Sequence, residues 1–339
     1  MNERYSRQIL FPEIGCAGQE KLIASRALIV GCGALGASHA EMLSRAGVGK
    51  LRIVDRDFVE FTNLQRQTLY SESDAEERLP KAVAAKDRIA QINSDVDVEA
   101  IVADVNNSNI ESLLTGCDIV LDGTDNFQIR YLLNDACVKH NKTWIYGAAV
   151  SSYGSTMTVI PGKTPCLRCI FEDMPDAGTS PTCDTSGVIM PIITSISGVQ
   201  VAEALKILVG DTDSLHRSLI QIDMWQNDWR KIKLNEPRPD CKTCGTRNFE
   251  FLDAGEQEFS AVLCGRDAVQ IAPARPTTLD LATLGERLSR VGAVKSNEYL
   301  VRLTVDGNEI TIFRDGRAIV HGTDEMAAAR SLYAKYVGS

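Results

Sequence analysis

The chain has 339 residues, of which 44% are hydrophobic and 24% charged, and its formal net charge is −9. This length exceeds the roughly 100–200 residues of one typical domain, which predicts a large domain with a smaller appendage, or two similar domains. The average composition excludes collagen-like and disordered proteins, the acidic balance argues against a general nucleic-acid surface, and no apolar run reaches the roughly 18–20 residues that span a membrane.

Three short apolar runs, each ending at a glycine or an aspartate, predict buried strands at residues 26–31, 51–55 and 118–122. Between the first two runs, residues 36–46 have apolar side chains at helical spacing. Strand, helix and strand in this order form a βαβ unit, which requires a parallel sheet. The predicted fold class is therefore α/β and Rossmann-like.

The pattern continues along the chain. Pro80 is followed by strong helix formers, which predicts a helix over Lys81–Ile92 because proline is well tolerated at a helix start. Further strands are predicted at 143–149, 154–160 and 219–223, and an apolar helix over 188–209 with an interruption near Gly198.

A change to Gly, Asp, Glu and Gln predicts a linker over 249–258, between a first domain at 1–248 and a small α+β module at 259–339. In the module, turn signals at Asp306-Gly307-Asn308 and Asp315-Gly316 predict paired strands, and a helix is expected over about 324–336.

The string Gly31-Cys32-Gly33-Ala34-Leu35-Gly36 follows the first predicted strand and opens the first predicted helix. Glycines let a backbone approach a phosphate, and a helix N-terminus offers free N–H groups. Asp55 comes 19 residues after Gly36, a spacing typical of a carboxylate that binds a ribose hydroxyl. The pattern predicts that Gly31, Gly33, Gly36 and Asp55 bind a nucleotide, without choosing between NAD and ATP; a merely tight turn is the alternative.

The polar segment Thr62–Gln67 favours ATP, because a dehydrogenase does not require a cation and amides directly after its second strand. Arg66 can pair with phosphate oxygens, and Asn63 and Gln65 can hydrogen-bond to them. Lys81 adds a positive charge where pyrophosphate would develop during adenylyl transfer. A solvated polar loop, or the capped start of a helix, is the alternative.

The string Asp122-Gly123-Thr124-Asp125-Asn126 stands at the carboxyl end of a predicted strand, where open α/β sheets bind ligands. Asp125 can hold Mg²⁺ while the metal bridges phosphates, and Asn126 is a further candidate for nucleotide binding. The competing role for Thr124, Asp125 or Asn126 is that of a helix N-cap.

Two cysteine pairs, Cys166-x-x-Cys169 and Cys241-x-x-Cys244, supply four thiolates, the ligand set of a structural zinc site. Because 71 residues separate the pairs, such a site would join two distant parts of the fold. The alternatives are redox dithiols and coincidence. Ten cysteines so unevenly spread do not form a disulfide scaffold, and with a polar N-terminus they indicate a cytoplasmic protein.

Cys183 lies in the polar loop 180–187, ahead of the predicted apolar helix. A thiol near a helix N-terminus has a lowered pKa, which makes Cys183 a candidate nucleophile. An inert loop cysteine is the alternative.

Together with the string Arg4-Tyr5-Ser6-Arg7-Gln8, these motifs carry a family resemblance from about residue 3 to 247. The chain resembles the ThiF/MoeB/HesA adenylyltransferases, relatives of ubiquitin-activating enzymes, and is most similar to the bacterial ThiF branch. The resemblance implies a homodimeric adenylation domain with a mixed α/β sheet. It also implies ATP- and Mg²⁺-dependent adenylylation of the C-terminal glycine carboxylate of a small ubiquitin-like sulfur-carrier protein.

Matched position by position, the resemblance assigns Asp55 to the ribose, Arg66 and Lys81 to the phosphates, and Asp125 to Mg²⁺. Asn63 and Gln65 would line the same pocket. No general base is implied, because the attacking carboxylate is already ionised.

Three further assignments follow from the resemblance. Arg7 matches an arginine that reaches into the partner subunit's site. Cys183 matches a cysteine that forms an acyl disulfide with the carrier in ThiF-like members and is not required in MoeB-like members. Because the acidic stretch after Arg66 is longer than in some members, Lys86 is an alternative to Lys81.

The module at 259–339 has no counterpart in the minimal family domain. Cys264-Gly265-Arg266 begins like a sulfurtransferase loop, but the residues that follow do not continue that pattern. We therefore expect a separate sulfur donor, and carrier recognition as the role of the module.

Other functions stay open at this point. Adenylation of the C-terminus of a ribosomal peptide would call for a peptide-clamping extension before Arg4. A catalytically silent, zinc-stabilised binding protein would not need Arg66, Lys81 and Asp125 together, and an NAD oxidoreductase is a further alternative. The carrier is also open, with thiamine thiazole synthesis favoured over molybdopterin synthesis.

Overall fold

The computed structural model describes residues 3–175, 182–254, 260–263, 268–271, 273, 278–323 and 325–338. The chain divides into two compact units, Met1–Ala254 and Gly255–Ser339. Phe249 and Leu252, placed in the linker by the sequence, are buried in the core of the first unit. The first unit therefore continues beyond residue 248, and residues 255–258 of the predicted linker lie outside the described residues.

The first unit contains an eight-stranded mixed sheet in the order β3-β2-β1-β4-β5-β6-β7-β8. In chain order the strands are β1 (Arg26–Val30), β2 (Lys50–Asp55), β3 (Asp97–Val102), β4 (Ile119–Asp122), β5 (Trp144–Val150), β6 (Tyr153–Val159), β7 (Ser218–Asp223) and β8 (Asp228–Lys233). Neighbours from β3 to β5 run parallel, and neighbours from β5 to β8 run antiparallel. The six predicted strands of this region are confirmed, whereas β3 and β8 were not predicted.

Helices cover both faces of this sheet. They are α1 (Ser6–Ile9), α2 (Gly15–Ala24), α3 (Ala34–Ala46), α4 (Glu72–Glu77), α5 (Lys81–Ile92), α6 (Ile110–Leu114), α7 (Phe127–Lys139), α8 (Leu167–Ile170), α9 (Cys183–Ser186) and α10 (Met190–Val209). Short 3-10 helices span Glu3–Tyr5 and Phe61–Asn63. The predicted helix at Lys81–Ile92 is confirmed, and the one predicted at 36–46 begins two residues earlier.

The predicted interruption of α10 near Gly198 is wrong, because the helix is continuous over 20 residues. Its first half packs through Ile192 and Ile196, and its second half through Val201 and Ala204, so burial holds both halves in line. By length and composition α10 is apolar enough to cross a membrane, but half of its most apolar stretch is buried inside the protein. This is the behaviour of a core helix.

Alternating side chains of the central strands serve two separate cores. Ile29 of β1 packs with α3, α5 and α10 on one face, and Leu28 packs with α6 and α7 on the other. Such strands read as continuous apolar runs, which explains why the sequence reveals them. The carboxyl ends of β1, β2, β4 and β5 meet at one edge, where the polar motifs lie.

The second unit is built on an antiparallel sheet in the order β11-β12-β13-β14-β10-β9. Its elements are β9 (Ser260–Leu263), β10 (Ala268–Ile271), α11 (Leu281–Leu288), β11 (Ala293–Ser296), β12 (Leu300–Val305), β13 (Asn308–Phe313), β14 (Ala318–His321) and α12 (Met326–Tyr336). The predicted turn between β12 and β13 is confirmed, since Asp306 and Gly307 both have positive φ, as a two-residue hairpin requires. Residue 324, where the last helix was expected to begin, and Cys264-Gly265-Arg266 lie outside the described residues.

Candidate active site and metal centre

The glycine loop, residues 31–36, packs too closely against its surroundings to accept larger residues. Gly31 has a φ of +81°, a conformation that favours glycine. A Cβ on Gly36 would lie 1.9 Å from the Gly31 carbonyl oxygen, and a Cβ on Gly123 would lie 2.4 Å from the same oxygen. The predicted Asp122–Asn126 turn therefore lies directly against the glycine loop.

Gly33 is the open position of this loop. A Cβ there would meet one neighbouring atom, Nε2 of Gln67, at 4.0 Å. Gly33 is also the N-cap of the 13-residue α3, so no side chain caps the first N–H groups of the helix. Oε1 of Gln67 is buried and has no hydrogen-bond partner among the residues that the structure describes. Free N–H groups and the positive end of the helix dipole together fit a bound phosphate, whereas the Gln67 oxygen can only accept a hydrogen bond and does not contribute to that fit.

Asp55, at the end of β2, stabilises the glycine loop through a hydrogen bond with its backbone. Its Oδ2 accepts a hydrogen bond from the Cys32 N–H at 2.6 Å, and its Oδ1 accepts one from the Asp57 N–H at 2.7 Å. The Tyr70 hydroxyl donates to the Cys32 carbonyl at 2.6 Å, so the backbone of Cys32 is fixed on both sides. Burial raises the pKa of the Asp55 carboxyl, and the charge of Lys81 opposes that rise. Each carboxylate oxygen retains a lone pair with which Asp55 can also accept a ribose hydroxyl.

Lys81 begins α5 and is only 4% exposed. Its ammonium lies 3.3 Å from Oδ2 of Asp57 and interacts electrostatically with Asp55. No sequence motif pointed to Asp57. Lys86 is exposed and lies five residues further along the helix, which turns it about 140° away from Lys81. Of the two candidate lysines, the fold brings Lys81 to the glycine loop.

In the segment 62–67, some side chains stabilise the local fold and others can contact a ligand. Asn63 is buried, and its Oδ1 accepts the Glu60 N–H at 3.0 Å in a capping box. Gln65 is exposed, whereas Arg66 is half-buried and donates through Nη1 to the Thr62 carbonyl at 2.9 Å. The capping alternative thus accounts for Asn63, while Arg66 retains further donors for a ligand.

The turn after β4 is organised by a buried ion pair that no motif predicted. Nε of Arg130 lies 3.2 Å from Oδ2 of Asp122, and neither side chain is more than 5% exposed. Oδ1 of Asp122 accepts hydrogen bonds from the Thr124 N–H and hydroxyl. Asn126 caps α7 through its side-chain oxygen, which is the competing role considered above, and Asp125 is the exposed carboxylate of the turn.

Two further predicted site residues, Cys183 and Arg7, lie at different places. Cys183 begins α9 and is half-buried, and its Sγ donates to the Ala149 carbonyl at 3.5 Å. Ala149 is near the carboxyl end of β5, so this thiol and Asp125 lie at the same edge of the sheet. Arg7 is exposed on α1.

The two cysteine pairs come together in space. The sulfur atoms of Cys166, Cys169, Cys241 and Cys244 all lie within 4.8 Å of one another. Three of their separations are 3.9, 3.6 and 3.3 Å. Four thiolates around a tetrahedral zinc, with Zn–S bonds of about 2.3 Å, would lie about 3.8 Å apart. The cluster is therefore compatible with a structural zinc ion.

Helix α7 supports this cysteine cluster from behind. Asn134 accepts the Leu167 N–H at 2.9 Å, next to the first cysteine pair. Asp135 accepts the Thr243 hydroxyl at 2.7 Å, between the cysteines of the second pair, and the Phe251 N–H at 2.9 Å. Both side chains are fully buried, and the sequence motifs had not singled them out.

Comparison with known families agrees with this architecture. The profile of the ThiF family matches residues 5–243. The chain belongs to the ThiF family. The resemblance inferred from the motifs is thereby confirmed, including its mixed α/β fold.

Three similar proteins illustrate the range of this ThiF-family similarity. Sulfur carrier protein ThiS adenylyltransferase of Bacillus subtilis (strain 168) is 46% identical over 340 residues, covering all of both chains. SAMP-activating enzyme E1 of Haloferax volcanii is 38% identical over 251 residues, covering 74% of this chain and 92% of that protein. Adenylyltransferase and sulfurtransferase MOCS3 of Culex quinquefasciatus is 40% identical over 242 residues, which cover 71% of this chain but 55% of that longer protein.

Solved structures show the same architecture. The crystal structure of E. coli MccB superposes with a TM-score of 0.63 at 25% identity, over 73% of each chain. A similarity of this extent shows that the two proteins share a fold over most of the chain.

Proposed function

We propose that this chain is an ATP-dependent adenylyltransferase that activates the C-terminal carboxylate of a ubiquitin-like sulfur-carrier protein of the ThiS class. The observation that carries the proposal is the uncapped start of α3 beside the buried ammonium of Lys81. Together they place free N–H donors and a positive charge near each other, which fits a triphosphate. The full-length similarity to a ThiS adenylyltransferase supports the choice of carrier and a role in thiamine thiazole synthesis.

In the proposed reaction, a carboxylate oxygen of the carrier's last glycine attacks the α-phosphorus of ATP, and pyrophosphate leaves. Gly31, Gly33 and Gly36 let the phosphates approach the backbone, and Asp55 holds the ribose. Arg66 and Lys81 balance the charge that develops on the leaving group. The carboxylate is already ionised, so the protein contributes mainly positioning and charge.

Metal ions complete the proposal. Asp125 is an exposed oxygen ligand next to the glycine loop and would hold Mg²⁺, which supplies charge neutralisation on the phosphates. The cysteine cluster would hold Zn²⁺ as a structural ion. Gln65, exposed beside Arg66, would contact the nucleotide.

The proposed assembly is a cytoplasmic homodimer served by a separate sulfur donor. Exposed Arg7 would enter the partner subunit's site, as the family resemblance implies. Carrier recognition is the role we propose for the second unit.

We further propose Cys183 as the thiol that links to the carrier during sulfur transfer. Because adenylylation precedes that step, Cys183→Ser is expected to keep pyrophosphate exchange near the wild-type rate and to lose carrier thiocarboxylate formation. Mass spectrometry of the carrier measures the second product. Unchanged thiocarboxylate formation would contradict the assignment and leave Cys183 as an inert loop cysteine.

Carrier-dependent exchange of pyrophosphate into ATP tests the main proposal. The purified full chain is incubated with ATP, Mg²⁺ and a carrier of the ThiS or the MoaD class that ends in Gly-Gly. Exchange is expected with the ThiS-class carrier, and it should disappear when the carrier lacks its last glycine or when the enzyme carries Asp125→Ala.

A short ribosomal peptide is the second substrate to include, because E. coli MccB, whose structure in complex with an MccA derivative is also similar to this chain at 25% identity, shares the fold. Exchange with the peptide and with no carrier would replace the proposed substrate. Exchange with neither substrate would favour a catalytically silent binding protein.

A further inference from the structure

Strands β4 and β5 separate at their carboxyl ends, where the proposed substrates meet. Their paired residues are Val120 with Trp144 and Leu121 with Ile145. After these pairs the two backbones are joined by side chains instead. Arg130 of α7 bridges them on one face of the sheet, and Gln200 of α10 bridges them on the other.

The guanidinium of Arg130 ties the turn after β4 to β5. Nη2 donates to the Thr124 carbonyl at 2.6 Å and to the Gly147 carbonyl at 3.1 Å, while Nε faces Asp122. The guanidinium carbon lies 5.5 Å from the centroid of the Tyr146 ring. The planar fork of arginine is what allows one side chain to reach three oxygens in fixed directions.

On the opposite face, Gln200 donates to the Asp122 carbonyl at 3.1 Å and to the Ile145 carbonyl at 3.2 Å. Its Oε1 lies 2.8 Å from Nε2 of the buried His39, which fixes the orientation of the amide. A Cβ on Gly147 would lie 2.4 Å from the Gln200 amide, so Gln200 packs directly against the backbone of this strand end and leaves room for glycine alone.

We propose that Arg130 is a positioning residue of the adenylylation reaction. By holding the Thr124 carbonyl at a fixed separation from the Gly147 carbonyl, it sets the width of the crevice between the Asp125 turn and β5. The carrier's C-terminal carboxylate and the α-phosphate of ATP must meet at this edge. The inference rests on the proposed function. It adds Arg130, which touches no substrate, to the residues on which the reaction depends.

Arg130→Lys tests this role, because lysine keeps the charge but cannot span three oxygens. Arg52→Lys is the matched control: the Arg52 guanidinium also joins one carboxylate, of Glu99 at 2.8 Å, to two carbonyls, of Leu113 at 2.6 Å and Thr115 at 3.0 Å. It does so beside α6, away from the glycine loop. Both variants are expected to lower the melting temperature, Arg130→Lys by more, because Asp122 is fully buried whereas Glu99 is half-exposed.

The expected difference lies in the kinetics of carrier-dependent pyrophosphate exchange. Misplacing reacting groups by about 1 Å can cost about 100-fold, so Arg130→Lys should lower kcat by about 10- to 100-fold. Its KM for ATP should stay within about threefold of the wild type, because Asp55, Arg66 and Lys81, which are proposed to bind the nucleotide, are not held by Arg130. Arg52→Lys should keep both parameters.

A milder variant covers the case in which Arg130→Lys does not fold. Thr124→Val removes only the hydroxyl bond to Asp122, of 2.7 Å, and should lower kcat several-fold in the same direction. The inference is overturned if the folded Arg130→Lys and Thr124→Val variants keep the wild-type kcat, as Arg52→Lys should. It is also overturned if these variants raise KM for ATP without lowering kcat. A wild type that shows no exchange would instead overturn the proposed function, and the positioning role with it.

Discussion

Replacing Lys81 by glutamine is expected to lower carrier-dependent pyrophosphate exchange by about 10²- to 10³-fold, the usual cost of removing one charge-stabilising donor from an active site. Lys81 is buried beside Asp55 and Asp57, so its ammonium is held ready at the start of α5. A triphosphate arriving at the uncapped end of α3 would offer this ammonium a more highly charged partner than Asp57. The loss should appear mainly in kcat, because charge develops on pyrophosphate as it leaves.

Lys86→Gln is the matched control, since it makes the same change on the same helix at an exposed position. It should leave exchange near the wild-type rate, and calorimetric titration with ATP separates binding from chemistry in both variants. The assignment of Lys81 would be contradicted if Lys86→Gln lost exchange while Lys81→Gln retained it.

The polar motifs differ in how specifically their residue types indicate a binding site. The glycine loop can be recognised in the sequence because the backbone packs so closely at Gly31 and Gly36 that only glycine fits. Asn63 and Asn126 are different, because capping a helix and binding a ligand ask for the same short polar side chain. The structure shows both residues accepting backbone N–H bonds in caps.

Residues that work through tertiary contacts left no motif to recognise. Asp57 follows β2 in a polar stretch, and its pairing with Lys81 depends on how α5 returns to the sheet. Arg130 stands in a mostly apolar helix with Asp122 eight residues before it, and a charge among apolar residues was the signal that the sequence offered. Gln200 likewise lies in the apolar helix α10, where the sequence pattern predicted an interruption near Gly198 and indicated no role for Gln200.

Helix α7 connects the two predicted centres of the first unit. Its first turns hold Asn126 and Arg130 at the candidate active site, and its last turns hold Asn134 and Asp135 against the cysteine cluster. Because both sets of residues belong to one continuous helix of 13 residues, we expect a displacement of one end to reach the other. Disruption of the cysteine cluster, and with it the loss of the proposed zinc ion, is therefore expected to affect catalysis as well as stability.

Cys241→Ser is expected to abolish stoichiometric zinc binding and to lower the melting temperature strongly. Serine is not ionised near neutral pH and supplies no thiolate, which leaves three ligands around the ion. Binding of zinc to the folded state contributes directly to stability, and a loss of about 3 kcal/mol corresponds to about 6–12 °C in a unit of this size. Metal analysis and thermal unfolding of the full chain measure the two effects.

Cys16→Ser provides the control, because Cys16 is exposed on α2 and is not part of the cluster. It should retain one zinc per chain and the wild-type melting temperature. If zinc binds, Cys241→Ser should also lose part of its exchange activity, because the Thr243 and Phe251 contacts that steady Asp135 depend on the same loop. A wild type that contains no zinc, and shows Cys166–Cys169 or Cys241–Cys244 disulfides by mass spectrometry, would contradict the metal site and identify redox dithiols in its place.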